Sequence, residues 1–266
     1  MNVGWRWSAL KNGLQDATVY RGEFLMEVLG SAAVPAAIQW VLWGAMYRDG
    51  GAQIAGSSGA MTYSQMIAYT LTSILFTQVR GGNLDFELQE LIRSGGLSQY
   101  LLRPASVIEF IYLRGSASRF FVATLSLGIG LLLCTFTRLE PLSLLAAMSM
   151  ALLGNLIHYQ LGAILSTVAF LWEEAYSLLM VKNLIVSILC GELIPLFLFP
   201  SHLSWVWESL PFYLYVFGPT QVALGEWSLE VWQHHIWIGL AWSLGLGLAT
   251  HLTWRLGIHR YQSLGG

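Results

Sequence analysis

Six apolar stretches run through this chain, at about 24–47, 63–79, 120–137, 142–170, 177–199 and 231–254, and each is long enough to cross a bilayer. A spanning helix needs roughly 20 mostly apolar residues. Backbone polar groups inside lipid must be satisfied within the segment, so repeated stretches of this length predict an all-α integral membrane protein. With six spans the two termini share a side. If both are inside, the inner loops hold Arg6, Lys11, Arg21, Arg80, Arg93, Arg103, Arg114, Arg119, Lys182, Arg255 and Arg260, leaving Arg48 and Arg138 outside. The opposite orientation reverses that balance. The positive-inside rule therefore predicts that both termini are cytoplasmic.

Composition excludes several classes of function. The chain is 55% hydrophobic and 11% charged, with a mean hydropathy of +0.58. Its lysines are Lys11 and Lys182. Neither follows a glycine-rich phosphate loop, so the chain is not expected to bind or hydrolyse ATP itself. No nucleophile elbow or zinc-protease motif is present, and no convergent acid–base set marks a catalytic centre. Cys134 and Cys190 both fall in apolar spans; they read as buried small residues rather than metal ligands. Basic residues are too few on any face for nucleic acid. No cleavable signal peptide is visible in residues 1–20.

The whole chain, 1–266, reads as one membrane domain. Residues 1–22 suggest an interfacial amphipathic helix, with Trp7, Leu10, Leu14 and Ala17 at helical spacing. Two stripes of small residues, Ala32/Ala33/Ala36/Ala37 and Ala241/Gly245/Ala249, suggest close helix packing. Residues 200–230 form an outer segment containing an apolar run, Leu210 to Phe217, that is too short to cross. It is expected to re-enter the outer leaflet.

Residues 83–104 carry the densest pattern. Asp85 suits the first turn of a helix. Leu84, Leu88, Leu91 and Ile92 share one face, with Glu87, Gln89, Glu90 and Arg93 off it, and Gly95-Gly96 end the helix. A second short stretch runs to Arg103 and stops at Pro104. Such a helix–break–helix at the inner surface either seats the bundle or docks a soluble partner. Asn155, His158 and Gln160 lie mid-span and Glu192 lies near the outer part of the fifth stretch. Polar groups at such depth face a pathway or hydrogen-bond to neighbouring helices. Glu192 either lines a polar cavity or follows an early end of its span at Gly191.

The run Leu91-Ile92-Arg93-Ser94-Gly95-Gly96-Leu97-Ser98-Gln99-Tyr100-Leu101-Leu102-Arg103-Pro104 resembles a stretch of ABC-2-type transporter permeases, the membrane subunits of bacterial ABC exporters. Arg260-Tyr261 leading to Gly265-Gly266, and Pro195, Pro200, Pro211, Pro219 and Gly225 before the last span, are also similar to that family. The resemblance implies a type V exporter-like fold with six spans, an N-terminal interface helix and a re-entrant segment before the last span. It implies a multi-pass protein of the inner membrane that exports an amphipathic, lipid-like or glycan substrate. It implies two copies of a separate cytoplasmic ABC ATPase, which holds the ATP and Mg, and a second permease, identical or a related sister. Residues 83–104 would be the coupling helix. Leu84, Glu87, Leu88, Glu90, Leu91, Ile92, Arg93, Gly95, Gly96 and Arg103 would contact the ATPase, and membrane lipids would surround the bundle. The competing readings are an ion-gradient-driven carrier and, behind it, a lipid-modifying membrane enzyme.

Overall fold

The computed structural model describes residues 4–19, 21–50, 53–56, 59–81, 84–103, 105–134, 140–172 and 175–261. The fold is almost wholly helical. α1 (Gly4–Val19) leads into α2 (Arg21–Gly50), which carries Pro35 in its interior. A small antiparallel hairpin, β1 (Gln53–Gly56) and β2 (Gly59–Thr62), joins α2 to α3 (Tyr63–Arg80). α3 begins with a reciprocal cap between Thr62 and Gln65, which satisfies two otherwise orphaned backbone donors. Two short helices follow, α4 (Leu84–Arg93) and α5 (Leu97–Leu101). The longer α6 (Val107–Cys134) and α7 (Pro141–Ser166) come next, and then α8 (Ala175–Leu189). The chain closes with α9 (Ser204–Ser209), α10 (Phe217–Ala223) and α11 (Leu229–Ile258).

Among the described residues three helical stretches are long and apolar enough to cross a membrane: Leu29–Arg48, Pro141–Phe170 and Leu229–Ile258. α8 is apolar but shorter. It stops at Leu189 because Gly191 takes φ +80°, a left-handed turn that other residues resist. Pro195 then prevents the helix from resuming. The fifth stretch, expected to continue to 199, is therefore broken near its middle. α6 starts at Val107, well before the expected 120, and so includes Arg114 and Arg119.

α7 is the central post. It packs against α11, α10, α4, α3 and α6. Its buried positions include Ala147, Ala151, Gly154 and Ile157. Against them rest Tyr213, Leu214, Tyr215, Val216 and Phe217, all nearly or fully buried. The run expected to re-enter the outer leaflet is largely enclosed by protein. A second, smaller core joins Leu88, Ile92 and Leu97 to Val107, Ile111, Tyr159 and Ala163.

α1 packs on α6 through Ala9 and Gly13, while Trp7 and Leu14 are exposed. Arg6–Glu109 at 2.6 Å and Arg114–Asp16 at 2.9 Å fasten the two helices. On α11 the buried positions are Gly239, Ser243, Thr250 and Gly257. Ala241 and Gly245 face outward within the single chain. The expected stripe on that helix was the wrong one: its close contacts come at Gly239, against Leu153, and at Gly257, against Phe170. α2 buries Gln39 and Trp43, and Ala33 and Ala37 are exposed.

Candidate functional site

α4 forms because its polar and apolar residues separate cleanly at helical spacing. Asp85 and Glu87 stand in its first turn and Arg93 in its last, each matching the helix dipole. Its apolar face points into the bundle. Leu88 is 0% exposed and Ile92 is 5% exposed. Leu91 is partly buried. Leu84 packs over Gly115 of α6. Leu88 and Ile92 were expected to meet a partner; they are consumed by the chain's own core and have no surface to offer.

What α4 and α5 present outward is different. Glu90 and Arg93 pair with each other at 2.9 Å and are both exposed. Leu101 and Leu102 are exposed beside them, with Leu102 at 88%. Arg103 lies over the rings of Tyr100 and Phe110 at 5.4 and 5.5 Å, a cation–π seat. Gly95 and Gly96 form the break between the helices. The Gly95 carbonyl accepts from the Tyr261 hydroxyl at 2.6 Å, and Ser98 Oγ meets the same hydroxyl at 2.9 Å. The C-terminal end of the chain thus pins the turn between α4 and α5.

Behind α4 lies a polar cavity of about 190 Å³. Arg80 and Gly81 from the end of α3, Asp85 and Glu87 from α4, and Asn155 and His158 from α7 line it. Arg119 from α6 also reaches it. Asp85 is held at several points. Its carboxylate accepts from Lys182 of α8 at 2.5 Å. Its backbone carbonyl accepts from Ser166 Oγ at 2.7 Å. Gly162 of α7 permits this approach: a Cβ there would stand 2.7 Å from the Asp85 Cβ. Arg80 pairs with Glu192 at 2.9 Å, just past the end of α8. Arg114 reaches both Asp16 and, at 3.6 Å, Glu87. Burial pushes the Glu87 carboxyl above its ordinary range; Arg114 opposes this and Asp16 adds to it.

The predicted polar residues divide. Asn155 and His158 come together in the cavity. Asn155 Nδ2 donates to the carbonyls of Val79 and Arg80 at 3.2 and 2.8 Å, satisfying acceptors that the end of α3 leaves open. Its Oδ1 accepts from the Tyr112 hydroxyl at 3.0 Å. His158 meets the Tyr215 ring edge-on at 5.5 Å, and its Nδ1 has no partner. Gln160 is turned away toward Gly247 of α11. Glu192 follows the early end of α8 and also joins the polar network, through Arg80. Lys182, Asp85, Arg80 and Tyr261 were not among the candidates. A lysine within an apolar helix was a signal for the first of them, since such a charge requires a buried partner.

This arrangement is a network of paired charges and hydrogen bonds around α4. Paired charges tie α4 to α8 through Asp85–Lys182 and to α6 through Glu87–Arg114, and a Ser166 hydrogen bond ties it to α7, while α4 keeps a charged outer edge.

No curated protein and no solved structure matches the chain significantly. Residues 33–265, nearly its full length, match the family described as ABC-2 family transporter protein. Its apolar helices of spanning length accord with that match, and the chain belongs to the ABC-2 transporter family.

Proposed function

We propose that the chain is the permease subunit of an ABC transporter, and that α4 and α5 are its coupling element. Six spans with both termini cytoplasmic would place this element at the inner membrane surface. Two ATPase subunits, carrying the ATP and Mg, would dock there, and a second permease, identical or related, would complete the pathway. The observation that carries this reading is the double character of α4. Its inner face is locked by Asp85–Lys182 and the Leu88 core, and its outer edge leaves Glu90, Arg93 and Leu102 free to engage a partner. Closure of the nucleotide domains would push this edge; the Asp85–Lys182 pair would pass the movement to α8, and the Leu88 core would pass it to α7. Outward movement of an amphipathic cargo is the direction the family resemblance supports.

The experiment is affinity purification of the tagged chain from its native membrane. A soluble ATPase should accompany it, and the chain alone should hydrolyse no ATP. Hydrolysis by the isolated chain would overturn the proposal. The buried Asp85–Lys182 pair also favours a second reading, a gradient-driven carrier, because charged sites at depth serve ion coupling. Transport that collapses with a protonophore and persists without any ATPase would select that reading.

A further inference from the structure

The segment between α8 and α11, together with the start of α11, lines a second, open cavity of about 820 Å³. Small-molecule sites run roughly 300–1,000 Å³. Its walls include Trp207, Tyr213, Phe217 and Trp227. These rings hold one another. Trp227 stacks on His235 at 4.6 Å and 16°, and meets Phe217 edge-on at 5.8 Å. The Tyr213 hydroxyl is 2.7 Å from His235 Nδ1. The aromatic cage is therefore organised before any ligand enters, which lowers the entropic cost of binding.

Of its other polar groups, Ser201 and His234 can donate or accept, and two carboxylates only accept. Glu208 of α9 and Glu230 of α11 stand at the exposed rim. Neither is in a salt bridge among the described residues. Gln221 of α10 lies deeper, 5% exposed, and its Oε1 has no hydrogen-bond partner among the described residues. A buried amide oxygen without a donor is costly and calls for one. No lysine or arginine lines the cavity.

We propose that this cavity binds a protonated organic amine with an apolar body. The rings cover the body and attract the charge through their π faces. Glu208 and Glu230 offset that charge. The Gln221 carbonyl accepts an ammonium N–H, which a quaternary nitrogen lacks. Treating the amine as transported cargo rests on the permease reading; binding alone does not.

The test uses the full chain in nanodiscs of zwitterionic phosphatidylcholine, without ATPase, with empty discs as the blank. Calorimetry compares 2-phenylethylammonium, its trimethylated analogue and 2-phenylethanol. The ammonium should bind about tenfold more tightly than either of the others. Gln221→Leu should erase its advantage over the trimethylated probe and keep the advantage over the alcohol. Glu208→Gln/Glu230→Gln should remove the advantage over the alcohol. Equal binding of all three probes, preferences unmoved by the variants, or tighter binding of a neutral disaccharide would overturn the proposal. ATPase copurification, measured on the same proteins, reports on the permease reading separately. Amine binding without a copurifying ATPase sinks only that reading.

Discussion

Lys182 Nζ lies 2.5 Å from Asp85 Oδ2, joining α8 to α4 across 97 residues of sequence, with the two side chains only 5% and 4% exposed. Neither charge can be left alone at such burial. A pair of this kind is expensive to break by halves. Removing one partner typically costs about 3–5 kcal/mol, whereas replacing both by apolar residues of similar volume is often close to neutral. Lys182→Met and Asp85→Leu should each lower unfolding stability in detergent by that amount. The double variant should recover most of the loss. Single variants that melt like the parent protein would show that the pair does not bear on stability.

Gly154 of α7 lies backbone to backbone against the segment that precedes α10. A Cβ there would lie 2.6 Å from the Leu214 carbonyl oxygen and 2.9 Å from the Tyr215 Cα, and neither can rotate away. Gly154→Ala should destabilise by about 1–3 kcal/mol, the usual cost of overpacking. Gly245→Ala on α11 has nothing within 4 Å. It should be neutral or gain up to about 1 kcal/mol from helix propensity. Paired melting curves of the two variants check both expectations. Equal melting of the two would mean that Leu214 and Tyr215 do not sit against α7.

The helices were more legible in the sequence than the contacts between them. Residues 63–79 and 142–170 correspond closely to α3 and to α7 with the turn that follows it, because long apolar runs without Pro favour a helix, although only the second is long and apolar enough to span. The start of α6 was hidden by Arg114 and Arg119, whose charges lower local hydropathy but are engaged by Asp16 and by the polar cavity. The amphipathic period of α4 was plain, but its direction was not. Hydrophobic spacing says that a face is buried without saying in what, and Leu88 found Ile111 and Ala163 of its own chain. Asp85 had a sufficient local explanation in the helix dipole, which masked its long-range pairing with Lys182.

Topology can be read from two exposed serines, Ser94 after α4 and Ser201 before α9. In a background with Cys134 and Cys190 replaced by alanine, a cysteine at Ser201 should react with an impermeant maleimide added to intact cells. A cysteine at Ser94 should react only after the membrane is opened. The asymmetry of basic residues supports this orientation. Labelling of position 94 from outside would put α4 and α5 on the wrong side for an ATPase.

The two faces of α4–α5 separate stability from coupling. Leu88 is fully buried, so Leu88→Asp places a carboxylate in an apolar core, where an uncompensated charge costs several kcal/mol. That variant should express poorly for reasons unrelated to any partner. Leu102 is 88% exposed, and a change there should alter stability by no more than about 0.5 kcal/mol. Leu102→Asp should therefore insert and melt normally. If the ATPase grips this edge, the same variant should lose copurifying ATPase, as should Glu90→Arg, which sets two cations side by side with Arg93. The Glu90–Arg93 pair is exposed and adds little to the fold, about 0.3–0.5 kcal/mol, so its reversal reports on the partner rather than on the chain. Pull-down and melting temperature measured on one preparation distinguish the outcomes. Retention of the ATPase by both surface variants would move the docking site away from α4 and α5, and would leave these helices the lesser task of sealing the inner end of the bundle.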